Sequence, residues 1–179
     1  LKPLGILEYH EAEGQYAKQA KLLSNSGVDI IVIETQFDLN EAKAAINGVK
    51  SVSDTALICS FSFDRGTKTM MGVSPTNFAE SMQGLELSAL GINCGKSLEN
   101  NLESLKELAA CTDLPIWFKP NAGLPIINES GNPEYSVTPK GMAGYVSEWA
   151  KSGASIIGGC CGTSPAHLSA IANSAYSLN

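Results

Sequence analysis

The stretch Val28-Asp29-Ile30-Ile31-Val32-Ile33 decides the fold, because it is a short β-branched apolar run without strict alternation of apolar and polar residues. A strand of this kind is buried on both faces, as in a parallel sheet. A segment with helical spacing follows at 40–52, and a second apolar run follows at 56–61. Parallel neighbours need a crossover of this length. The stretch therefore predicts an α/β protein.

The same alternation continues to the end of the chain. Further apolar runs predict strands at 89–93, 114–118 and 154–157. Helical spacing predicts further helices at 11–24, 75–82, 98–111 and 140–152. The five units are spaced at roughly the 30 residues expected for each unit of a (β/α)8 barrel. We therefore expect either part of such a barrel or an open, doubly wound sheet of five strands.

The domain prediction covers the whole chain. Residues 1–179 are expected to form a single domain, in which 128–138, rich in Asn, Gly, Pro and Ser, is a long loop. Eight βα units would need about 250 residues, so five of eight is the expected share of a barrel.

Composition excludes several classes of partner. Twelve Lys and Arg against eighteen Asp and Glu give a net charge of −6, which argues against contacts with a nucleic-acid backbone. No apolar run approaches the roughly 20 residues of a membrane span, and residues 1–6 lack the pattern of a signal peptide. Five cysteines without an export signal indicate reduced thiols. We therefore expect a cytoplasmic protein without membrane partners.

Two adjacent cysteines form the most informative motif, Gly158-Gly159-Cys160-Cys161-Gly162. Neighbouring side chains of a strand point to opposite faces, but the flanking glycines allow the backbone to turn, so both sulfurs can serve one centre. A disulfide between sequence neighbours would be strained, which favours a soft or borderline metal, with zinc as the first candidate. The alternative is that both thiols are small, buried apolar groups.

A third metal ligand is needed, because catalytic zinc usually has three protein ligands and an open fourth position. Cys94 follows the predicted strand 89–93, and the carboxyl ends of parallel strands meet at one rim. Cys59 within a strand and Cys111 at a helix end are better explained by packing. His10 and His167 receive no assignment; His167 could donate to a ligand sulfur or simply occupy a polar helix start.

Glu34 ends the first predicted strand. A carboxylate at a buried rim is unfavourable unless it meets a cation, so Glu34 is a candidate for binding a substrate ammonium. A salt bridge or a helix cap without any ligand is the alternative.

Four motifs together resemble the zinc-dependent homocysteine S-methyltransferase family. They occur in the family order: Val32-Ile33-Glu34-Thr35, Gly91-Ile92-Asn93-Cys94, Lys119-Pro120-Asn121-Ala122-Gly123-Leu124-Pro125 and Gly158-Gly159-Cys160-Cys161-Gly162-Thr163. The family includes the homocysteine-binding module of cobalamin-dependent methionine synthase and betaine–homocysteine methyltransferase. The similarity covers nearly the whole chain.

The resemblance implies a (β/α)8 barrel with zinc held by three cysteines, here Cys94, Cys160 and Cys161. Glu34 would contact the amino group of homocysteine, and Asn93 and Asn121 match substrate-binding positions of the motifs. Only the last five βα units have a counterpart here. The first three units, with an Asp-Gly motif that helps bind homocysteine, do not.

The resemblance also implies an activity, which is transfer of a methyl group to the thiol of homocysteine to form methionine. The donor would be betaine, S-methylmethionine, or methylcobalamin supplied by another module. The barrel would be completed by a missing N-terminal segment or by self-association. Two alternative hypotheses for the function are a non-catalytic structural zinc protein and a metal-free, phosphate-binding barrel enzyme.

Overall fold

The computed structural model describes residues 1–2 and 5–178, in which helices and strands alternate along the chain. In chain order the elements are α1 (Tyr9–Asn25), β1 (Ile30–Gln36), α2 (Leu39–Lys50), β2 (Ala56–Phe61), α3 (Pro75–Met82), β3 (Ala89–Cys94), α4 (Leu98–Ala109), β4 (Ile116–Pro120), β5 (Pro125–Ile127), β6 (Pro133–Tyr135), α5 (Pro139–Gly144), α6 (Val146–Lys151), β7 (Ala154–Ile157) and α7 (Pro165–Tyr176).

Five of the strands form one parallel sheet in the order β1-β2-β3-β4-β7. A doubly wound sheet reverses its strand order at a switch point. Within the described residues this sheet has no reversal, since each strand lies beside the sheet strand that precedes it. That sequential order is typical of a barrel wall. The α/β prediction is confirmed, and the order favours part of a barrel over the doubly wound alternative.

The helix starts follow from local sequence signals. The Asp38 side chain accepts a hydrogen bond from Glu41 N, and Ser74 caps α3 in the same way with Pro75 at the first position. Ser97 caps α4 through Asn100 N. These caps fix where each crossover helix begins, and therefore which residues follow each strand at its carboxyl end.

Helices cover one face of the sheet, which we call the outer face. Its strand side chains are apolar and buried, and they pack against the helices in one cluster that includes Ile33, Phe61, Ile92 and Phe118. The Phe118 and Trp149 rings meet edge to face, with centroids 5.2 Å apart. Burying such side chains contributes about 1.5–3 kcal/mol each, so this face supplies most of the driving force for folding.

The opposite, inner face carries smaller and more polar side chains near its centre. Ser60 lies opposite Gly91 in the pairing of β2 with β3. A Cβ built on Gly91 would lie 2.9 Å from Ser60 Cβ and 3.0 Å from Trp117 O. Only glycine therefore fits at this position of the inner face.

Two details differ from the sequence-based expectation. The segment 128–138, expected as a loop, contains β6, which pairs with β5 just before that segment in a two-stranded antiparallel ribbon. The three-residue strands are too short to give a periodic signal. The helix expected at 140–152 is two short helices, α5 and α6, which join at Tyr145. Gly141 and Gly144 weaken the helix preference of the first one.

The two edge strands of the sheet, β1 and β7, each lack a second strand partner in the part of the chain that the structure describes. Inner-face isoleucines lie at these edges, Ile30 with 48% exposure and Ile156 with 38%. Neither is covered as a core isoleucine normally is. Across residues 1–2 and 5–178, none of the helices has both the length and the apolar character needed to cross a bilayer.

Candidate metal centre

Three cysteine sulfurs from two separate strand ends lie together at the carboxyl rim of the sheet. Cys94 Sγ lies 3.1 Å from Cys160 Sγ and 3.9 Å from Cys161 Sγ. Among the described residues this is the group of three or more potential ligands whose atoms all lie within 4.8 Å of one another. The structure therefore brings together the three side chains that the sequence analysis selects.

The donor set fits a tetrahedral thiophilic ion. Zinc–sulfur bonds of 2.3 Å at tetrahedral angles place neighbouring sulfurs about 3.8 Å apart. The Cys94–Cys161 separation of 3.9 Å already has this value, and the Cys94–Cys160 separation of 3.1 Å is shorter. The three residues could hold such an ion after small side-chain movements.

Cys94 reaches the cluster through an unusual backbone conformation. It is the last residue of β3 and has φ 58°, in the left-handed region that non-glycine residues rarely adopt. Gly95 continues the turn with φ 81°. Such a conformation costs about 1–2 kcal/mol for an L-residue. In return, the chain leaves the strand direction at the residue that carries the sulfur.

Cys160 and Cys161 lie in a turn after β7 that is fixed from two directions. Cys160 N donates to Pro120 O at 3.0 Å, and the Cys161 carbonyl accepts from Ala122 N at 2.9 Å. The Tyr135 ring of β6 packs directly on Gly162, where any Cβ would overlap it. The β5–β6 ribbon therefore supports the cysteine pair, a role that the expected loop did not suggest.

Asn93 connects the sulfurs to the end of β1. Its side chain is fully buried, and its Nδ2 lies 3.4 Å from Cys94 Sγ and 3.9 Å from Cys160 Sγ. The same amide donates to Thr35 Oγ1 at 2.7 Å and accepts from Thr35 N at 3.0 Å and Ser60 Oγ at 2.5 Å. Thr35 itself is left-handed, with φ 63°. Asn93 thus stabilises a second strained residue beside the cluster.

Asn121 connects the two cysteine turns. Its Nδ2 donates to Gly95 O at 3.1 Å, and its Oδ1 accepts from Cys161 N at 2.9 Å. One amide therefore links the peptide after the first ligand to the peptide of the third. The roles predicted for Asn93 and Asn121 in substrate binding stay predictions, and the contacts here are to protein groups.

The three thiols of the cluster differ in pKa when no metal is bound. A hydrogen bond from the Cys94 thiol lowers the pKa of Cys160 to about 5, with a smaller contribution from Asn93. The same hydrogen bond raises the pKa of Cys94, while burial and the charge on Cys160 raise that of Cys161. At neutral pH the cluster holds one thiolate and two thiols, so metal binding must release protons.

Glu34 and Lys119 form an ion pair on the same rim. Lys119 Nζ lies 2.8 Å from Glu34 Oε1, and both side chains are partly exposed. The ammonium also lies 5.3 Å from the centre of the Trp117 ring, within cation–π range. Glu34 therefore has a protein partner, as the alternative interpretation of this residue anticipates, and its accessible side chain remains open to a substrate.

The other cysteines and histidines lie apart from the cluster. Cys59 is buried in β2, where burial raises its pKa to about 12, and Cys111 Sγ contacts Thr76 Oγ1 at 3.6 Å. His167 uses its ring nitrogens on Ser164 and Val137 O, so it does not donate to a sulfur. His10 is exposed on α1. Packing accounts for both cysteines, as expected from the sequence.

A sequence model described as homocysteine S-methyltransferase matches residues 2–175. The chain belongs to this family. The resemblance inferred from the four motifs is therefore confirmed.

The fold is similar to that of the homocysteine methyltransferase MmuM from Escherichia coli. The metallated form has a TM-score of 0.77 and 25% identity over 93% of this chain and 52% of that chain. The apo form has a TM-score of 0.77 and 24% identity over 94% and 58%. A type I 3-dehydroquinate dehydratase from Clostridium difficile shares the fold alone, with a TM-score of 0.55 and 16% identity over 97% and 63%. The chain spans a little more than half the length of the MmuM chains.

Sequence reasoning missed three residues of the centre. Lys119 lies within one of the four motifs, where it pairs with Glu34. Asn101, whose Nδ2 donates to Cys94 O at 2.6 Å, lies in a helix whose sequence gives no sign of a functional residue. Thr35 gives no sequence signal of its left-handed backbone. Lys119 was the one that could have been found, because a lysine at a strand end on the same rim as Glu34 suggests a charge pair.

Proposed function

We propose that this protein is a zinc-dependent methyltransferase that transfers a methyl group to the sulfur of homocysteine and forms methionine. The observation that carries the proposal is the convergence of Cys94, Cys160 and Cys161 at the carboxyl rim of a chain of this family. Active sites of (β/α)8 barrels are built at this end of the strands.

The three cysteines would hold the ion, with Cys94 from β3 and the adjacent pair from the turn after β7. When bound, zinc supplies a Lewis acid that keeps a substrate thiol deprotonated at neutral pH. The described residues bring three sulfurs together, and the thiol of the substrate would be the fourth ligand of the ion. Asn93 Nδ2, which also donates to Thr35 Oγ1, would use its other hydrogen to hold the nearer sulfur, that of Cys94, in place.

The substrate sulfur forms a bond to the methyl carbon of the donor while the donor's own bond to that carbon breaks. The electron pair of the broken bond leaves with the donor, so no general base on this chain is required once the thiol is deprotonated. Betaine, S-methylmethionine, and methylcobalamin carried by another module are donors with a methyl group of this kind. The partners proposed for the site are therefore homocysteine and one small methyl donor.

Glu34 would bind the ammonium group of homocysteine. Its Oε1 is paired with Lys119, which fixes the direction of the carboxylate and leaves Oε2 for the substrate. A hydrogen bond between two charged groups contributes about 1.5–3 kcal/mol. We assign Asn93 and Asn121 to the same substrate pocket, with Asn121 as the more exposed of the two.

Further βα units would complete the barrel. The sheet has open edges at β1 and β7, with partly exposed Ile30 and Ile156 beside them, and unpaired edges favour strand pairing. We propose that residues 1–179 form one domain. An N-terminal segment with the remaining βα units of the family barrel would close the sheet, rather than a second copy of this chain. Sedimentation should show the 179-residue chain binding a three-unit N-terminal fragment one to one; a stable homodimer that ignores the fragment would contradict this.

The five cysteines are free in the structure. Cys94 lies close enough to Cys160 and Cys161 to form a disulfide with one of them in an oxidising compartment. A reducing compartment would keep all three thiols available for metal. We propose the cytoplasm on this ground.

X-ray absorption at the zinc edge tests the proposed function. The zinc-loaded protein should show three sulfur neighbours without homocysteine and four with it. Four protein ligands in both samples would indicate a structural zinc site and exclude the catalytic role. Loss of all zinc on dialysis would leave the metal-free barrel enzyme as the better reading.

A further inference from the structure

We propose that Asn101 is a positioning residue for the metal centre, because it holds the strained turn at Cys94 and Gly95 that directs the Cys94 sulfur toward Cys160 and Cys161. The inference rests on the proposed metal site and adds a residue from outside the four motifs. Asn101 lies in the first turn of α4, seven residues after the sulfur ligand.

The contact is short and buried. Asn101 Nδ2 donates to Cys94 O at 2.6 Å, and the residue is 1% exposed. The Cys94 carbonyl also accepts from Asn121 N at 3.2 Å. Two donors from different elements therefore hold one carbonyl, which fixes the orientation of the Cys94–Gly95 peptide from both sides.

The helix start explains how Asn101 reaches this turn. Ser97 caps α4 through Asn100 N, which places Asn101 at the end of the first turn of the helix. Side chains of a helix lean toward its N-terminus, so the Asn101 amide points back over the preceding turn. A Cβ on Gly95 would overlap that amide. Glycine at 95 and asparagine at 101 therefore fit each other.

Core packing alone does not explain an asparagine at this position. Asn101 Oδ1 is buried and has no hydrogen-bond partner in the described structure, which disfavours the folded state. Leucine would fill the same space without an unpaired polar atom. The contact that distinguishes asparagine from leucine is the donation to the Cys94 carbonyl, which lies in the backbone of a sulfur ligand.

The first test compares Asn101→Leu with Leu105→Ala, which removes a fully buried side chain from the same helix one turn further on. Co²⁺ replaces zinc, because its absorption bands report how many thiolates bind it. We expect Asn101→Leu to change the spectrum from three thiolates to two and to weaken metal binding by about 10- to 100-fold. Leu105→Ala should melt at a lower temperature and keep the three-thiolate spectrum.

A second measurement needs no metal and separates this inference from the proposed function. A bifunctional reagent that joins nearby thiols should link Cys94 to Cys160 in the wild-type protein, and mass spectrometry should show much less of that product in Asn101→Leu. Asn101→Ala, which adds no bulk, serves if the leucine variant does not fold. A three-thiolate spectrum and an unchanged Cys94–Cys160 product in either folded variant would overturn the role of Asn101. A wild type that forms the product but binds no metal would contradict the proposed function alone.

Discussion

The outer face of the sheet and its carboxyl rim belong to the same strands, but they differ in backbone conformation and in the kind of side chain that they bury. On the outer face, side chains such as Phe61, Ile92 and Phe118 are buried among apolar neighbours, with ordinary strand backbone. At the rim, Thr35 and Cys94 are left-handed, and buried amides replace apolar contacts. Backbone strain of this kind costs about 1–3 kcal/mol per residue and persists where the surroundings fix it. The outer face therefore stabilises the fold, and the rim uses part of that stability to bring three sulfurs together.

The largest expected effect comes from removing a sulfur of the rim. Cys160→Ala should abolish metal retention after dialysis, while Cys111→Ala should retain metal as the wild type does, because Cys111 lies near Thr76 and away from the cluster. Metal content by mass spectrometry checks both variants. Equal metal content in the two variants would show that Cys160 is not a metal ligand.

A cavity between the outer face and a helix that covers it should lower the stability of the protein and leave metal binding unchanged. Leu108 of α4 is fully buried, so Leu108→Ala should lower the free energy of unfolding by about 2–5 kcal/mol. Metal affinity of the folded protein should stay close to that of the wild type. Urea unfolding and metal competition measure the two quantities; a large loss of affinity with little loss of stability would break the distinction between the two regions.

The different pKa values of the three thiols predict how metal binding depends on pH. The lowered pKa of Cys160, about 5, leaves it ionised at neutral pH, whereas the raised pKa values of Cys94 and Cys161 leave both as thiols. Binding to three thiolates then releases about two protons, so the affinity should rise about 100-fold per pH unit from about pH 6 to 8. Chelator competition at several pH values gives the slope. Release of three protons would show that no thiol is ionised beforehand.

The smallest expected effect concerns the ion pair of the rim. Glu34→Gln keeps the shape of the side chain and removes its charge, so homocysteine binding should weaken by about 1.5–3 kcal/mol. Metal retention should not change, because Glu34 contacts Lys119 rather than a cysteine. Calorimetric titration of the zinc-loaded variant measures the affinity. An unchanged dissociation constant would exclude Glu34 from ammonium binding.

The outer face could be predicted from the sequence because burial leaves continuous apolar runs in the strands and helical spacing in the segments between them. The runs around Ile31, Leu57 and Leu90 identify the strands, and capping residues such as Ser74 identify the helix starts. The three sulfurs could be predicted as well, since parallel strands bring their carboxyl ends to one rim. The contacts that hold these sulfurs in place could not be predicted. The left-handed backbone of Cys94 and the reach of Asn101 depend on three-dimensional packing that has no period in the sequence.

Sulfurs from two strand ends should bind one ion. Anomalous diffraction at the zinc edge from crystals of the zinc-loaded protein would locate that ion. We expect a single strong peak within bonding distance of the Sγ atoms of Cys94, Cys160 and Cys161. A peak bonded to the adjacent pair alone, with the Cys94 sulfur turned away, would contradict it.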